Sequence, residues 1–139
     1  MARILCIDYG AKRTGLAVTD PMKIIATGLT AVDTKDLLSF LKKYIDHEAV
    51  ELVLIGEPKN LNDTDTHATP LVNQFIKKLQ KEFPSIPIQK VDERYTSKRA
   101  AQEMLQMGMT KKDRRNKKNV DEIAATIMLQ EHLSKAPNP

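Results

Sequence analysis

The chain has 139 residues, of which 41% are hydrophobic and 29% are charged, and its formal net charge at pH 7 is +4. This length and composition predict one globular domain, residues 1–139, with a core of its own. They exclude a membrane-spanning helix, since no segment holds about 20 apolar residues in succession. The only cysteine, Cys6, excludes an internal disulfide and predicts a small core residue in a reducing, cytoplasmic compartment.

The first third of the sequence predicts three strands joined by short connections. They are expected at Arg3–Tyr9, Thr14–Asp20 and Lys23–Val32. Short connections between successive strands favour antiparallel pairing. Asp33 or Thr34 is then expected to cap a helix, because the apolar residues that follow recur at three- and four-residue spacing.

The rest of the sequence alternates between strands and helices. The apolar run Val50–Gly56 predicts a strand that is covered on both faces, and Ile86–Asp92 predicts the fifth strand. Loops are expected at Glu57–Thr66 and at the basic stretch Lys111–Lys118, after which Asn119 should cap the last helix. The three later helices are expected at 69–83, 96–107 and 119–133. This order predicts an α/β fold with one mixed five-stranded sheet, three antiparallel strands followed by parallel strands, flanked by helices.

Acidic residues stand at the ends of two predicted strands and at the start of the last helix. Asp8 ends the first strand, Asp92 and Glu93 end the fifth, and Asp121 and Glu122 open the helix. A carboxylate at the end of a buried strand is costly unless a nearby charge compensates it. Mg²⁺ prefers such oxygen ligands, and paired metal ions cleave phosphodiesters. The pattern therefore predicts a metal-assisted phosphodiesterase if these acids meet at one sheet edge.

Each of these acids also has a structural interpretation. Asp8 is compatible with a turn, and Asp92 or Glu93 with a surface ion pair to a neighbouring arginine. Asp121 and Glu122 stand where acids favour the helix dipole. None of the three histidines forms a ligand-spaced pair with another, which argues against zinc. The joint pattern favours the metal hypothesis.

Four motifs resemble those of one known family. They are residues 4–20, 55–63, 92–97 and 120–125. On these motifs the chain resembles the YqgF/RuvX family, which is described both as Holliday junction resolvases and as nucleases that process the 5′ end of pre-16S ribosomal RNA. The resemblance implies an RNase H-like fold and a carboxylate triad of Asp8, Glu93 and Asp121. We expect the triad to bind Mg²⁺, with Mn²⁺ as the alternative, and cleavage to leave 3′-hydroxyl and 5′-phosphate ends.

The chain departs from the family pattern at two positions. Glu57 stands where the family usually has an apolar residue, and Asp63 where it usually has glycine. Both add negative charge to a loop that is expected to approach the substrate. Asp92 and Glu122 remain alternatives to their neighbours in the triad.

Basic residues accompany all three acidic positions. Six of the eight residues of Lys111–Lys118 are basic, although a solvated loop would have the same composition. Since aromatic residues make up only 4% of the chain, contacts to the nucleic-acid backbone are expected rather than base stacking. The residues expected to bind nucleic acid are Lys12, Arg13, Arg94, Lys111, Lys112, Arg114 and Arg115.

These features favour a metal-dependent endonuclease that acts on structured nucleic acid, with the 5′ end of pre-16S rRNA as the expected substrate. Ribosomal particles are further expected partners, a membrane is not, and the chain is expected to be a monomer or a weak homodimer. Three alternatives remain: a resolvase of branched DNA, a non-catalytic RNA-binding factor of ribosome assembly, and an ATPase of the actin type. The ATPase needs two such domains around its nucleotide, and this chain has room for one.

Overall fold

The computed structural model describes residues 2–10, 12–57, 69–92 and 117–135. The predicted helix 96–107 lies outside these ranges. None of the helices in the described ranges has the length and apolar character that a membrane span requires. The strands are β1 (Arg3–Asp8), β2 (Arg13–Thr19), β3 (Ala26–Asp33), β4 (Val50–Glu57) and β5 (Ile88–Asp92). The helices are α1 (Leu37–His47), α2 (Thr69–Glu82) and α3 (Lys117–Lys135), with a 3-10 turn at Thr34–Asp36 before α1.

The five strands form one mixed sheet in the order β3-β2-β1-β4-β5. β1 pairs with β2 and β2 with β3 in antiparallel orientation, through short connections. β1 pairs with β4 and β4 with β5 in parallel orientation, each through a connection that contains a helix. The predicted mixed sheet is therefore confirmed, and β1 is its central strand.

Side chains of β1 alternate between two cores because successive residues of a strand point to opposite faces. Leu5 and Ile7 are fully buried in a cluster with residues of α1 and α2. Ile4 and Cys6 lie in a second cluster with residues of α3, and Cys6 is fully buried, as predicted for a small core residue. We call these two sides of the sheet the α1/α2 face and the α3 face.

The prediction for the start of the third strand was wrong by three residues: β3 begins at Ala26, not at Lys23. The carboxylate of Asp20 accepts hydrogen bonds from the backbone N–H groups of Met22, Ile24 and Ile25, at 3.1, 2.8 and 2.7 Å. These bonds close a turn and take the N–H groups that a strand would use.

The starts of β5 and α3 also differ from the prediction. β5 begins at Ile88 rather than Ile86, because Pro87 has no N–H for the sheet and uses only its carbonyl, which accepts from Val53 N at 3.0 Å. α3 begins at Lys117, so Asn119 lies inside the helix and does not cap it. The capping preference of Asn is only about 1 kcal/mol, which the hydrogen bonds of a further helical turn can outweigh.

The Asp20 turn predicts a pH dependence of stability. Hydrogen bonds from the backbone, that of Ile25 first, hold the pKa of the Asp20 carboxyl below its ordinary value of 3.8. Since the folded pKa is depressed, the stabilisation is complete above the unfolded value and is lost as the pH falls through the folded value. Asp20→Asn should lower the free energy of unfolding at pH 5, and this difference from the parent should shrink towards pH 2 in urea titrations. A difference that stays constant with pH would contradict the assignment.

Candidate active site

Asp8 is the last residue of β1 and lies on the α3 face. It follows Ile4 and Cys6 at two-residue spacing, and both of these pack against α3. The next residue, Tyr9, lies on the opposite side, where its ring packs against that of Phe75 in α2 with 5.1 Å between centroids. Burial there raises the pKa of Tyr9 above 10.0. Asp8 is only partly buried, so its carboxylate stands where the core of the α3 face opens.

The parallel strands end at one edge of the sheet, and each ends in an acid. Ile7 of β1 is level with Ile55 of β4, and Glu57 of β4 is level with Asp92 of β5. Asp8, Glu57 and Asp92 are therefore the final residues of three adjacent strands. The Asp8 and Asp92 positions therefore lie at the same edge of the sheet, with β4 between them.

Glu57 is a further acid at this edge of the sheet, and we did not predict it there from the sequence. We predicted that it opens a loop, but the backbone keeps it in β4, where it pairs with β5. The signal was present in the sequence, because Glu57 follows the apolar run Val50–Gly56 just as Asp8 follows its own apolar run.

The start of helix α3 lies nearer to the Asp8 end of the sheet than its carboxyl end does. Leu133, near its carboxyl end, lines a cavity with Ala26, the first residue of β3. Glu122, near its start, packs over Gly28, which lies two residues further along β3 towards that edge. The backbone of Asp121 is therefore at the same end and on the same face as Asp8.

The predicted triad is described only in part. Asp8 is described completely, Asp121 through its backbone, and Glu93 lies outside the described residues. Val91 of β5 packs in the core of the α3 face, and Glu93 follows it by two residues in the sequence. Among the side chains that the structure describes, no three acids, histidines or cysteines form a group able to hold a metal ion.

The basic residues that follow Asp8 lie on a narrow turn. We call Gly10 and Lys12, together with Arg13 at the start of β2, the basic turn. Lys12 is exposed and Arg13 is partly buried. A Cβ at Gly10 would collide with the backbone carbonyl of Arg13, so this turn requires glycine. The other residues predicted to bind nucleic acid lie outside the described ranges: Arg94, Lys111, Lys112, Arg114 and Arg115.

Thr34 holds the basic turn instead of capping a helix. Its hydroxyl donates to the carbonyl of Gly10 at 2.5 Å, and its backbone N–H donates to the carbonyl of Lys12 at 2.9 Å. Neither Asp33, which precedes the 3-10 turn, nor Asp36, which precedes α1, makes a side-chain cap hydrogen bond. The capping prediction for Asp33 or Thr34 was therefore wrong, because a contact distant in the sequence takes the hydroxyl.

Comparison with known proteins gives the family of the chain. The family model described as RuvX, Holliday junction resolvase, matches residues 2–135. The chain belongs to the RuvX family. This confirms the resemblance drawn from the sequence motifs, and it gives no support to the alternative of an actin-type ATPase.

Proteins of several named organisms are similar to the chain over almost their whole length. A protein of Christiangramia forsetii is 53% identical over 133 residues, covering 96% of this chain and 98% of the relative. One of Flavobacterium johnsoniae is 54% identical over 134 residues, covering 96% and 97%. Both bear the name "Putative pre-16S rRNA nuclease".

A solved structure supports the fold. RuvC of T. thermophilus, in complex with a Holliday junction substrate, superposes with a TM-score of 0.57 at 15% identity, covering 98% of each chain. The fold of this RuvX family member is thus RNase H-like, as the resemblance implied.

Glu122, the alternative to Asp121, is packed against a strand. A Cβ placed on Gly28 would lie 2.8 Å from Glu122 Cγ and closer still to its carboxylate. Gly28 is in β3, two strands away from β1 in the sheet. The Glu122 side chain therefore lies against β3.

Gly28→Ala should therefore lower the free energy of unfolding by about 1–3 kcal/mol, because the added methyl group overpacks the contact with Glu122. Glu122→Ala in the same chain should recover most of that loss by removing the colliding side chain. Urea unfolding of the parent, G28A, E122A and the double variant measures the coupling. Equal effects of G28A with and without Glu122 would show that the contact does not limit packing.

Proposed function

We propose that this chain is a metal-dependent endonuclease that cleaves structured nucleic acid, and that its substrate is the 5′ end of pre-16S rRNA. Membership of the RuvX family makes it a hydrolase of phosphodiester bonds. The observation that carries the proposal is the position of Asp8, at an edge where two further strands end in acids and α3 begins. The names of the relatives support RNA as the substrate.

We assign the catalytic and metal-binding roles to Asp8, Glu93 and Asp121. Their carboxylate oxygens are hard ligands that suit Mg²⁺, or Mn²⁺, and the partial burial of Asp8 limits competition from water. These residues would hold the metal ions, which when bound would supply activation of the attacking water and stabilisation of the leaving oxygen. Three carboxylates leave a pair of divalent ions with net positive charge, so the site attracts phosphate. The products are a 3′-hydroxyl and a 5′-phosphate.

Basic residues supply the attraction for the nucleic-acid backbone. Lys12 and Arg13 lie on the turn that directly follows β1, and we assign the same role to Arg94 and to the basic stretch before α3. Contacts of this kind position a substrate without reading its bases. The chain then acts as a monomer or weak homodimer in the cytoplasm, on precursor rRNA within ribosomal particles.

Resolution of branched DNA is the second candidate function. The RuvX family description and the structural likeness to RuvC in complex with a Holliday junction favour it. A third candidate, RNA binding without cleavage, uses the same basic residues but no metal. Cleavage assays on pre-16S rRNA and on a four-way DNA junction, each with Mg²⁺ or Mn²⁺, separate the three.

Asp8→Asn should reduce metal-dependent cleavage by about 100-fold or more, since it removes a charged metal ligand while keeping the size of the side chain. Single-turnover cleavage of a pre-16S rRNA fragment in Mg²⁺ or Mn²⁺ measures the loss. Asp46→Asn is the matched control, because Asp46 is an exposed acid in α1, on the opposite face of the sheet. A D8N variant that cleaves as fast as the parent would show that the triad is wrong.

Neutralising Lys111, Lys112, Arg114 and Arg115 together by substitution with Gln should weaken RNA binding and flatten its dependence on salt. Each lost phosphate contact should reduce the slope of log K against log salt by about 0.7–0.9. Affinities measured at several salt concentrations by fluorescence anisotropy give this slope.

The matched control neutralises four exposed lysines of α1 and α2 and should leave the slope within error of the parent. These lysines are Lys43, Lys77, Lys78 and Lys81. Equal losses from both sets would show that only net charge matters and not the basic stretch.

A further inference from the structure

Thr34 connects the end of β3 to the basic turn by two hydrogen bonds. The hydroxyl donates to the carbonyl of Gly10, and the backbone N–H donates to the carbonyl of Lys12. The carbonyls of two turn residues therefore accept hydrogen bonds from the same residue. Thr34 is distant from both in the sequence and is partly buried. These two hydrogen bonds therefore connect the basic turn, which follows β1, to the residue that directly follows β3.

The direction of the hydrogen bonds follows from counting protons. A threonine hydroxyl has one hydrogen, which Thr34 gives to the Gly10 carbonyl. Thr14 Oγ1 lies 2.9 Å from Thr34 Oγ1, and Thr14 is fully buried. Thr14 must therefore be the donor of that bond, which gives a directed chain from Thr14 to Thr34 to the Gly10 carbonyl. With its one hydrogen committed to the turn, the Thr34 hydroxyl has none to donate to a substrate.

We propose that Thr34 is a positioning residue for nucleic-acid binding, which holds the basic turn so that Lys12 and Arg13 meet the substrate backbone beside Asp8. The inference rests on the proposed function, because it takes the two basic side chains as phosphate contacts. A turn that is ordered in the free protein pays less conformational entropy on binding than a mobile one. The Thr34 hydroxyl thus acts on affinity through the turn and not by touching the substrate.

The test measures binding of a fluorescein-labelled RNA hairpin from the 5′ flank of pre-16S rRNA, in EDTA so that metal-dependent cleavage is blocked. Thr34→Val removes the hydroxyl at nearly constant size and should raise Kd about three- to tenfold. The slope of log K against log salt should fall by the amount that about one phosphate contact contributes. Thr34→Ser keeps the hydroxyl and should restore Kd to within twofold of the parent.

Thr30→Val is the matched control. Thr30 is a partly buried threonine of β3, the strand that ends directly before Thr34, and its hydroxyl bonds only locally, to the carbonyl of Ala31 at 3.4 Å. T30V should leave both Kd and the salt slope unchanged. A Kd raised by T30V as much as by T34V would overturn the proposal, since any hydroxyl loss in or directly after β3 would then have the same effect.

A combined variant separates positioning from general structural damage. If Thr34 acts through the basic turn, T34V should change Kd less than twofold when added to K12A/R13A, since the contacts that it places are already gone. A full T34V effect in that background would overturn the proposal.

A second variant tests whether weaker binding by T34V is caused by misfolding. T34V leaves the buried Thr14 hydroxyl without its acceptor, which costs stability. T14V/T34V removes both hydroxyls, so no buried donor is left without its acceptor; it should be more stable than T34V, yet still bind RNA about three- to tenfold more weakly than the parent. Parent-like binding by this folded variant would show that the Thr34 hydroxyl is dispensable.

The outcomes also distinguish this inference from the proposed function. If the parent protein neither binds this RNA in EDTA nor cleaves it in Mg²⁺ or Mn²⁺, the proposed function is wrong. If the parent binds, and T34V binds as tightly with the same salt slope, only the positioning role of Thr34 is wrong.

Discussion

The burial of β1 on both faces is the constraint on which the site depends. Leu5, Cys6 and Ile7 have no exposed surface, and Asp8 follows them at the point where the core opens. An unpaired charge one residue earlier would be buried at a cost of several kcal/mol. The strand therefore places the carboxylate at the edge of the sheet, and the two-residue alternation places it on the side of α3.

β3 supports this edge from a distance, although it carries none of the predicted triad. At its end, Thr34 anchors the basic turn through Gly10 and Lys12. In its middle, Gly28 leaves space for the side chain of Glu122, so the first turns of α3 approach the sheet closely. Both contacts depend on small groups. The Thr34 hydroxyl fixes the position of the Gly10 carbonyl, and the absence of a Cβ at Gly28 leaves room for the Glu122 side chain.

Much of the fold was predictable because local patterns decide it. Continuous apolar runs predicted the strands, and the short connections predicted the antiparallel pairs. Two of the errors occurred where a polar side chain has a partner that we did not expect. Asp20 accepts hydrogen bonds from the N–H groups of Ile24 and Ile25, so β3 begins later than predicted. Thr34 donates its hydroxyl hydrogen to Gly10 instead of capping the helix that follows it.

The sequence by itself determined the family, through the motifs that resemble the RuvX family, and it supplied the carboxylates and the nearby basic residues of the proposed site. Only the tertiary structure decided that Glu57 shares an edge with Asp8 and Asp92, and that Thr34 holds the basic turn. The physical reason is that periodicity and turn chemistry act within a few residues along the chain. The pairing of parallel strands and the partner of a lone hydroxyl depend instead on segments that become neighbours only when the chain folds.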